Sequence, residues 1–514
     1  MSRSQNSAKN IVVSVIGQMA QIVLQFICRA VFIQTLSQEY LGISGLFTNV
    51  ISVLSLAELG FGTALIYSMY DPIHKDDKDK ITRLINLYRR IYIIIAGVIF
   101  VLGISLLPFL RYLIKDYSDY ENLSNLPLIY LLYLVNTLFS YVYIYKKSII
   151  DAYQKNYVYV AIQKGLLVAQ NLLQMLFLVL THNFIVYLSI QIVVTLLTNL
   201  IISRQADKMF PFINNDRTCQ LSRTEKKVIY KNTSAMAMHK FGAVVVNSTD
   251  NLILSSLISI ISVAIYSNYS LIITNLNGFI ELVFRAVTAS VGDLGASKDS
   301  KRLNEVFNTL TFVQFWIYSF SSICLYALLN HFIKLWIGGN YIFGNAIVFV
   351  LVLNFYLKGS RVVINVFRDS LGLFWYDRYK PVFEALVNLL VSIVLAKTVG
   401  IIGVFIGTAV STLSVCFWVE PYILYKHALG RGLKKYFFTY IKYFFVMISM
   451  GALLNYMCIF LNSNITGLVL KLLLITVIYN LFIVFLFRRT NEFNESVNIV
   501  KKVLHSRRTS VKRQ

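Results

Sequence analysis

The chain has 514 residues, 57% of them apolar and 14% charged, with a mean hydropathy of +0.64. Soluble chains run at about 45–50% apolar and about 25% charged, so a soluble multidomain enzyme is excluded, and six prolines exclude a loop-rich or disordered chain. The 48 Lys+Arg against 24 Asp+Glu give a formal charge of +24; in a soluble domain this suggests nucleic acid, but here the basic residues fall between hydrophobic runs, and membrane topology accounts for them.

Crossing about 30 Å of hydrocarbon takes roughly 20 helical residues. In chain order the sequence offers fourteen such runs, at 11–36, 40–70, 91–114, 126–149, 156–181, 183–203, 231–259, 263–293, 306–330, 341–366, 380–398, 401–425, 436–461 and 465–487. The N-terminal MSRSQNSAKN leads into an apolar stretch too long for a signal-peptide core, so the first run reads as a retained span. Between runs, Lys and Arg alternate in abundance: the segments from Arg3, 71–90, 146–155, 204–231, 298–302, 358–380, 426–435 and the tail from Arg488 carry 38, and the intervening loops carry four. Since basic residues collect on the cytoplasmic side, both termini are expected on the cytoplasmic side of the membrane, which requires an even number of spans. The five cysteines, Cys28, Cys219, Cys324, Cys416 and Cys458, form no CxxC or Cys/His cluster, so neither a metal nor a disulfide framework is expected, and no cofactor is implied.

An internal repeat organises these runs. Tyr40, Ser44, Thr48 and Asn49 recur as Tyr266, Ser270, Thr274 and Asn275, 226 residues on. Glu58-Leu59 with Phe61 recurs as Glu281-Leu282 with Phe284, and Lys75-Asp76 as Lys298-Asp299, both at an offset of 223. Six spans separate the copies, an even number, so the halves are parallel repeats, a transporter architecture of two bundles that rock about a central cavity. The expected organisation is an all-α polytopic membrane protein of about fourteen helices: an N-lobe at 1–203, a basic cytoplasmic linker at 204–230, a C-lobe at 231–428, two extra spans at 429–487 and a basic tail at 488–514.

The stretches YLGISGLFTNVISVLSLAELGFGTALIYSMYDPIHKDDKDKI (40–81), NSTDNLILSSLISIISVAIYSNYSLI (247–272) and RDSLGLFWYDRYKPVFEALVNLLVSIVLA (368–396) resemble the bacterial polysaccharide transporter family. These are the Wzx-type flippases of the multidrug/oligosaccharidyl-lipid/polysaccharide superfamily. The resemblance covers about 10–425 and is diffuse beyond. It implies a MATE-like fold and movement of an undecaprenyl-pyrophosphate-linked oligosaccharide repeat unit to the outer leaflet, for capsule, exopolysaccharide or O-antigen, alongside other polysaccharide-assembly proteins. No catalytic motif defines the family, and its substrate residues do not transfer by position.

Ionisable groups within the spans narrow the candidates, because each costs roughly 2.5–3.5 kcal/mol to insert at mid-bilayer. Arg29, Lys240 and Arg285 are the candidates for holding a pyrophosphate or an anionic sugar, since guanidinium and ammonium groups pair with phosphate. Glu58, Asp250 and Glu281 are candidates for coupling to H+ or Na+, Asp250 within the polar run Asn247-Ser248-Thr249-Asp250-Asn251. Bland readings stand beside these: an i,i+4 pair between Glu281 and Arg285, helix–helix hydrogen bonding at Asp250, and snorkelling or pairing for Arg29 and Lys240. Lys164, Glu384, Glu420, Lys442 and Lys471 lie close enough to run ends to snorkel and are set aside. The expectation is a flippase working by alternating access; the alternative is a cation-coupled exporter of drugs or small solutes on the same fold. A membrane enzyme would need a sizeable external loop, and the external loops are nearly all short.

Overall fold

The computed structural model describes residues 3–58, 61–117, 125–214, 242, 244–246, 248–297, 299–430, 432–462, 464–498 and 501. Lys240 and the expected linker beyond residue 214 fall outside the described residues. Among the described residues every regular element is a helix, as lipid demands of a chain that must satisfy its backbone polar groups within each segment. Two compact units divide the chain, Met1–Ser267 and Asn268–Gln514.

The first unit comprises α1 (Arg3–Thr35), α2 (Gln38–Leu54), α3 (Phe61–His74), α4 (Lys78–Leu106), α5 (Leu126–Tyr141), α6 (Ile144–Ala152), α7 (Asn156–Thr181) and α8 (Phe184–Met209). A shorter apolar helix, α9 (Val244–Ile258), follows, and α10 (Ile260–Arg285) begins in this unit and runs into the second. The second holds α11 (Thr288–Ala296), α12 (Ser300–Ile337), α13 (Asn345–Gly359), α14 (Val362–Ser370), α15 (Lys380–Val399), α16 (Ile401–Ser411), α17 (Phe417–Leu424), α18 (Leu433–Ile459) and α19 (Ile465–Phe487).

Each apolar run of the sequence falls on helix where it is described, but the spans are less uniform than the runs. Nine described helices are long and apolar enough to cross a membrane, or ten if α5 and α6, bent by 43° where they join, form one span. The run at 40–70 is divided by a 3-10 turn at Ser55–Glu58 between α2 and α3. Helix α1 carries Gln18, Gln21, Gln25 and Arg29 at helical spacing, a polar stripe that lowers its hydropathy. Gln21 of that stripe, and Cys28 beside it, meet α7: Lys164 Nζ donates to Gln21 Oε1 and Cys28 Sγ lies 3.3 Å from Asn171 Oδ1. Helix α4 shows the lipid pattern, with Ile91, Ile95 and Ile99 buried and Ile94, Val98 and Val101 exposed.

Two helix starts are alike, one residue out of the register of the sequence repeat, which matches Asp76 with Asp299. Asp77 caps α4 by accepting from the Lys80 amide at 2.9 Å, and Asp299 caps α12 by accepting from the Arg302 amide at 3.0 Å. Their dihedrals, φ −80°, ψ 81° and φ −80°, ψ 82°, are the same within a degree. Asn49 and Asn275, matched in the repeat, each donate to the carbonyl four residues back, of Gly45 at 2.8 Å and of Leu271 at 2.9 Å.

In the second unit α18 and α19 pack on α12, where Phe315 and Tyr443 stack at 4.1 Å and Trp316 Nε1 donates to Asn480 Oδ1 at 2.9 Å. The α15–α16 contact depends on a GxxxG: a Cβ on Gly403 would lie 2.2 Å from the Leu395 carbonyl oxygen, and one on Gly407 2.1 Å from Ser392 Oγ. Neither neighbour is the end of a flexible chain. Gly403→Ala is therefore expected to cost about 1–3 kcal/mol, read as a lowered unfolding temperature in detergent; an unchanged midpoint would contradict the close approach.

Candidate functional site

The most heavily charged buried cluster among the described residues lies in the second unit and was set aside in the sequence. Arg361 stands in the break between α13 and α14. It donates through Nε to Glu420 Oε2 at 3.0 Å and through Nη2 to Glu420 Oε1 at 2.7 Å, the bidentate geometry that a guanidinium fork gives a carboxylate. A third donor, Nη1, reaches Glu384 Oε1 at 3.1 Å, and Lys380 Nζ also donates to Glu420 Oε1. The Glu420 side chain has no exposed surface. Two cations and two anions balance, which is what burial requires, so the cluster joins α14, α15 and α17 electrostatically and offers no spare charge to a ligand. Depth from a helix end misjudged Glu384 and Glu420: both face inward.

The first unit has a simpler counterpart. Lys146 of α6 donates to Asp207 of α8, with both oxygens at 2.7 Å. In the first unit the helix after the break, α6, is thus tied to α8 by residues 61 apart, and in the second the break before α14 is tied to α17 by residues 59 apart.

Three of the sequence candidates lie in the first unit, separately. Arg29 is half-buried, and its Nη1 donates to Ser267 Oγ at 3.0 Å; among the described residues it pairs with no carboxylate. Tyr133 and Tyr187 lie within its electrostatic reach. Tyr133 in turn donates to Ser44 Oγ at 2.7 Å, and Tyr187 packs against Phe32 and Phe184 with ring centroids 5.5 and 5.8 Å away. Four of the five guanidinium N–H groups thus have no described acceptor, inside an aromatic, hydroxyl-rich surround. Glu58, at the end of the 3-10 turn, lines a cavity of about 420 Å³ with Ser52, Ser55, Thr137, Ser140 and Tyr141; its Oε1 is 3.5 Å from Tyr92 OH. Asp250 is buried beside Ser248 and Thr249.

The structure brings Glu281 and Arg285 together in the second unit. Arg285 Nη2 donates to Glu281 Oε2 at 3.1 Å, an i,i+4 pair. Asn277 Nδ2 donates to the other carboxylate oxygen at 2.6 Å, and Tyr318 OH donates to Asn277 Oδ1 at 3.0 Å. This chain fixes the carboxylate, while the Arg285 side chain remains 72% exposed. Lys358, at the C-terminal end of α13, is exposed and within electrostatic reach of Glu281, Arg361 and Glu384. Among the described residues it forms no ion pair. The sequence reading counted it as a loop cation in 358–380; its place in a helix of an apolar span was the available signal.

A multi-pass helical membrane protein with two bundles and charged groups inside its spans is the class these features define. Its fold is shared by transporters and flippases. The lipid II flippase MurJ, in an inward closed conformation, is similar with a TM-score of 0.65 at 13% identity over 93% of this chain and 99% of that one. A MATE family multidrug resistance transporter of the MOP superfamily, inward-facing, is similar at 0.61 and 15% identity over 83% of this chain and 99% of that one. The outward-facing conformation of such a MATE family transporter gives 0.56 and 14% over 85% of this chain and 97% of that one. No protein-family model and no curated protein sequence matches the chain.

Proposed function

We propose that this chain is a flippase that moves an undecaprenyl-pyrophosphate-linked oligosaccharide repeat unit across the bacterial cytoplasmic membrane, by alternating access, for assembly of a surface polysaccharide. The observation that carries this reading is Arg29: a guanidinium on a span, held by one serine hydroxyl at 3.0 Å, is a costly placement that an anionic cargo repays. Taken by itself, the second unit carries the exposed cations Lys358 and Arg285. The Lys/Arg asymmetry of the loops supports cytoplasmic termini, and the repeat supports an N-lobe over 1–203 and a C-lobe over 231–428. Glu58, Asp250 and Glu281 serve as the H+ or Na+ coupling groups, Glu58 with the best access because it lines a cavity.

That cavity also favours a second reading, a cation-coupled exporter of drugs or small solutes, for which an accessible acid inside the membrane is the central need. One experiment separates the two. Cells depleted of the protein are expected to accumulate the lipid-linked intermediate in the inner leaflet and lose surface polymer, with solute resistance unchanged. An unchanged intermediate pool with altered resistance would replace the flippase by the exporter.

A further inference from the structure

The helical segment Ile401–Leu429 is interrupted by one π turn and ends on another. Five-residue π turns at Thr412–Cys416 and Tyr425–Leu429 flank α17, and π insertions re-aim side chains and occur often at functional sites. Trp418, Tyr422 and Lys426 follow at i, i+4 and i+8, all exposed, with the Lys426 ammonium 5.4 Å over the Tyr422 ring. His427 stacks on Tyr376 at 3.9 Å and 18°. With Phe437 of α18 these residues enclose a recess of about 590 Å³, within the roughly 300–1,000 Å³ of small-ligand pockets. Among the described residues no carboxylate lines it, and Lys426, Lys434 and Lys435 make its surroundings basic.

An ordinary interfacial aromatic stands on a convex helix surface, with its ring at the headgroup level. Here the aromatic side chains form the walls of a concavity, and a lysine and a histidine are part of its lining. Aromatic walls suit an acyl chain, and two groups able to carry positive charge suit a phosphate diester; this combination matches anionic lipid. We propose that the recess binds an anionic glycerophospholipid, with an acyl chain against Trp418, Tyr422 and Phe437 and its phosphate held by Lys426 and His427. This site is independent of the cargo reading.

The test uses full-length protein in vesicles of phosphatidylglycerol and phosphatidylcholine, with Trp418 as the sole tryptophan (Trp316→Phe, Trp336→Phe, Trp375→Phe) and bromine on the chains of one lipid at a time. Quenching of Trp418 is expected to show about a fivefold preference for phosphatidylglycerol, falling to parity in Lys426→Ala/His427→Ala. Equal quenching by the two lipids before the double substitution would overturn the proposal. So would displacement of the quencher by inorganic phosphate alone, or stronger retention of a polyprenyl phosphate than of phosphatidylglycerol. Because Trp316 bonds Asn480, native mass spectrometry on protein with all four tryptophans gives the second reading: one phosphatidylglycerol fewer is retained in Lys426→Ala/His427→Ala, and an unchanged count would overturn the site.

Discussion

Arg361→Ala is expected to destabilise the protein by about 3–5 kcal/mol, the cost of breaking a buried ion pair from one side. The reason is the position of Glu420, which has no exposed surface and receives two of Arg361's donors. With the guanidinium gone, Lys380 alone faces it, and Glu384 loses its described partner. Arg361→Met combined with Glu420→Met leaves one base and one acid, so part of the lost stability should return, because apolar side chains of similar volume replace buried ions at little cost. Lys146→Ala is the control from the first unit. Asp207 keeps 29% of its side-chain surface exposed, so water screens what is left and the loss should be smaller, about 1–3 kcal/mol. Thermal unfolding in detergent reads all three. A change within about 1 kcal/mol for Arg361→Ala would mean that the cluster behaves as a surface pair.

Hydropathy made the helices legible, because a long apolar run is what lipid requires of every span. The breaks were not legible. Tyr143 has a φ of 65° at the join of α5 and α6, yet the local sequence Tyr141-Val142-Tyr143-Ile144 holds neither Gly nor Pro; the bend comes from tertiary packing, which a single sequence does not display. The ionic cluster was hidden for a related reason. Its bases, Arg361 and Lys380, sat in a stretch read as a cytoplasmic loop, because the break after α13 disguised α14 as the end of a span. Its acids, Glu384 and Glu420, were judged by distance from helix ends rather than by the face they occupy. The pair of Glu281 and Arg285 was open to the sequence as the bland alternative to their site roles, since i,i+4 spacing on a helix fixes their proximity; Asn277 and Tyr318, which hold the carboxylate, were not.

The contrast between these charges bears on cargo. A cation neutralised by carboxylates holds the fold, whereas one held only by a hydroxyl can hold an anionic ligand: Arg361 gives three of its five N–H groups to two carboxylates, and Arg29 gives one to Ser267. Arg29→Ala is therefore expected to leave unfolding in detergent within about 1 kcal/mol of wild type, since it gives up one described hydrogen bond, to Ser267. The same substitution should weaken binding of a polyprenyl-pyrophosphate oligosaccharide by about 10- to 100-fold, the range for one charge-assisted contact. Arg29→Lys should recover only part, because an ammonium is a point charge and loses the bidentate fork. Equilibrium binding to protein in nanodiscs, beside the same unfolding assay, checks the set. Wild-type affinity in Arg29→Ala would remove Arg29 from the cargo site, and a large fall in stability would make it a structural group like Arg361.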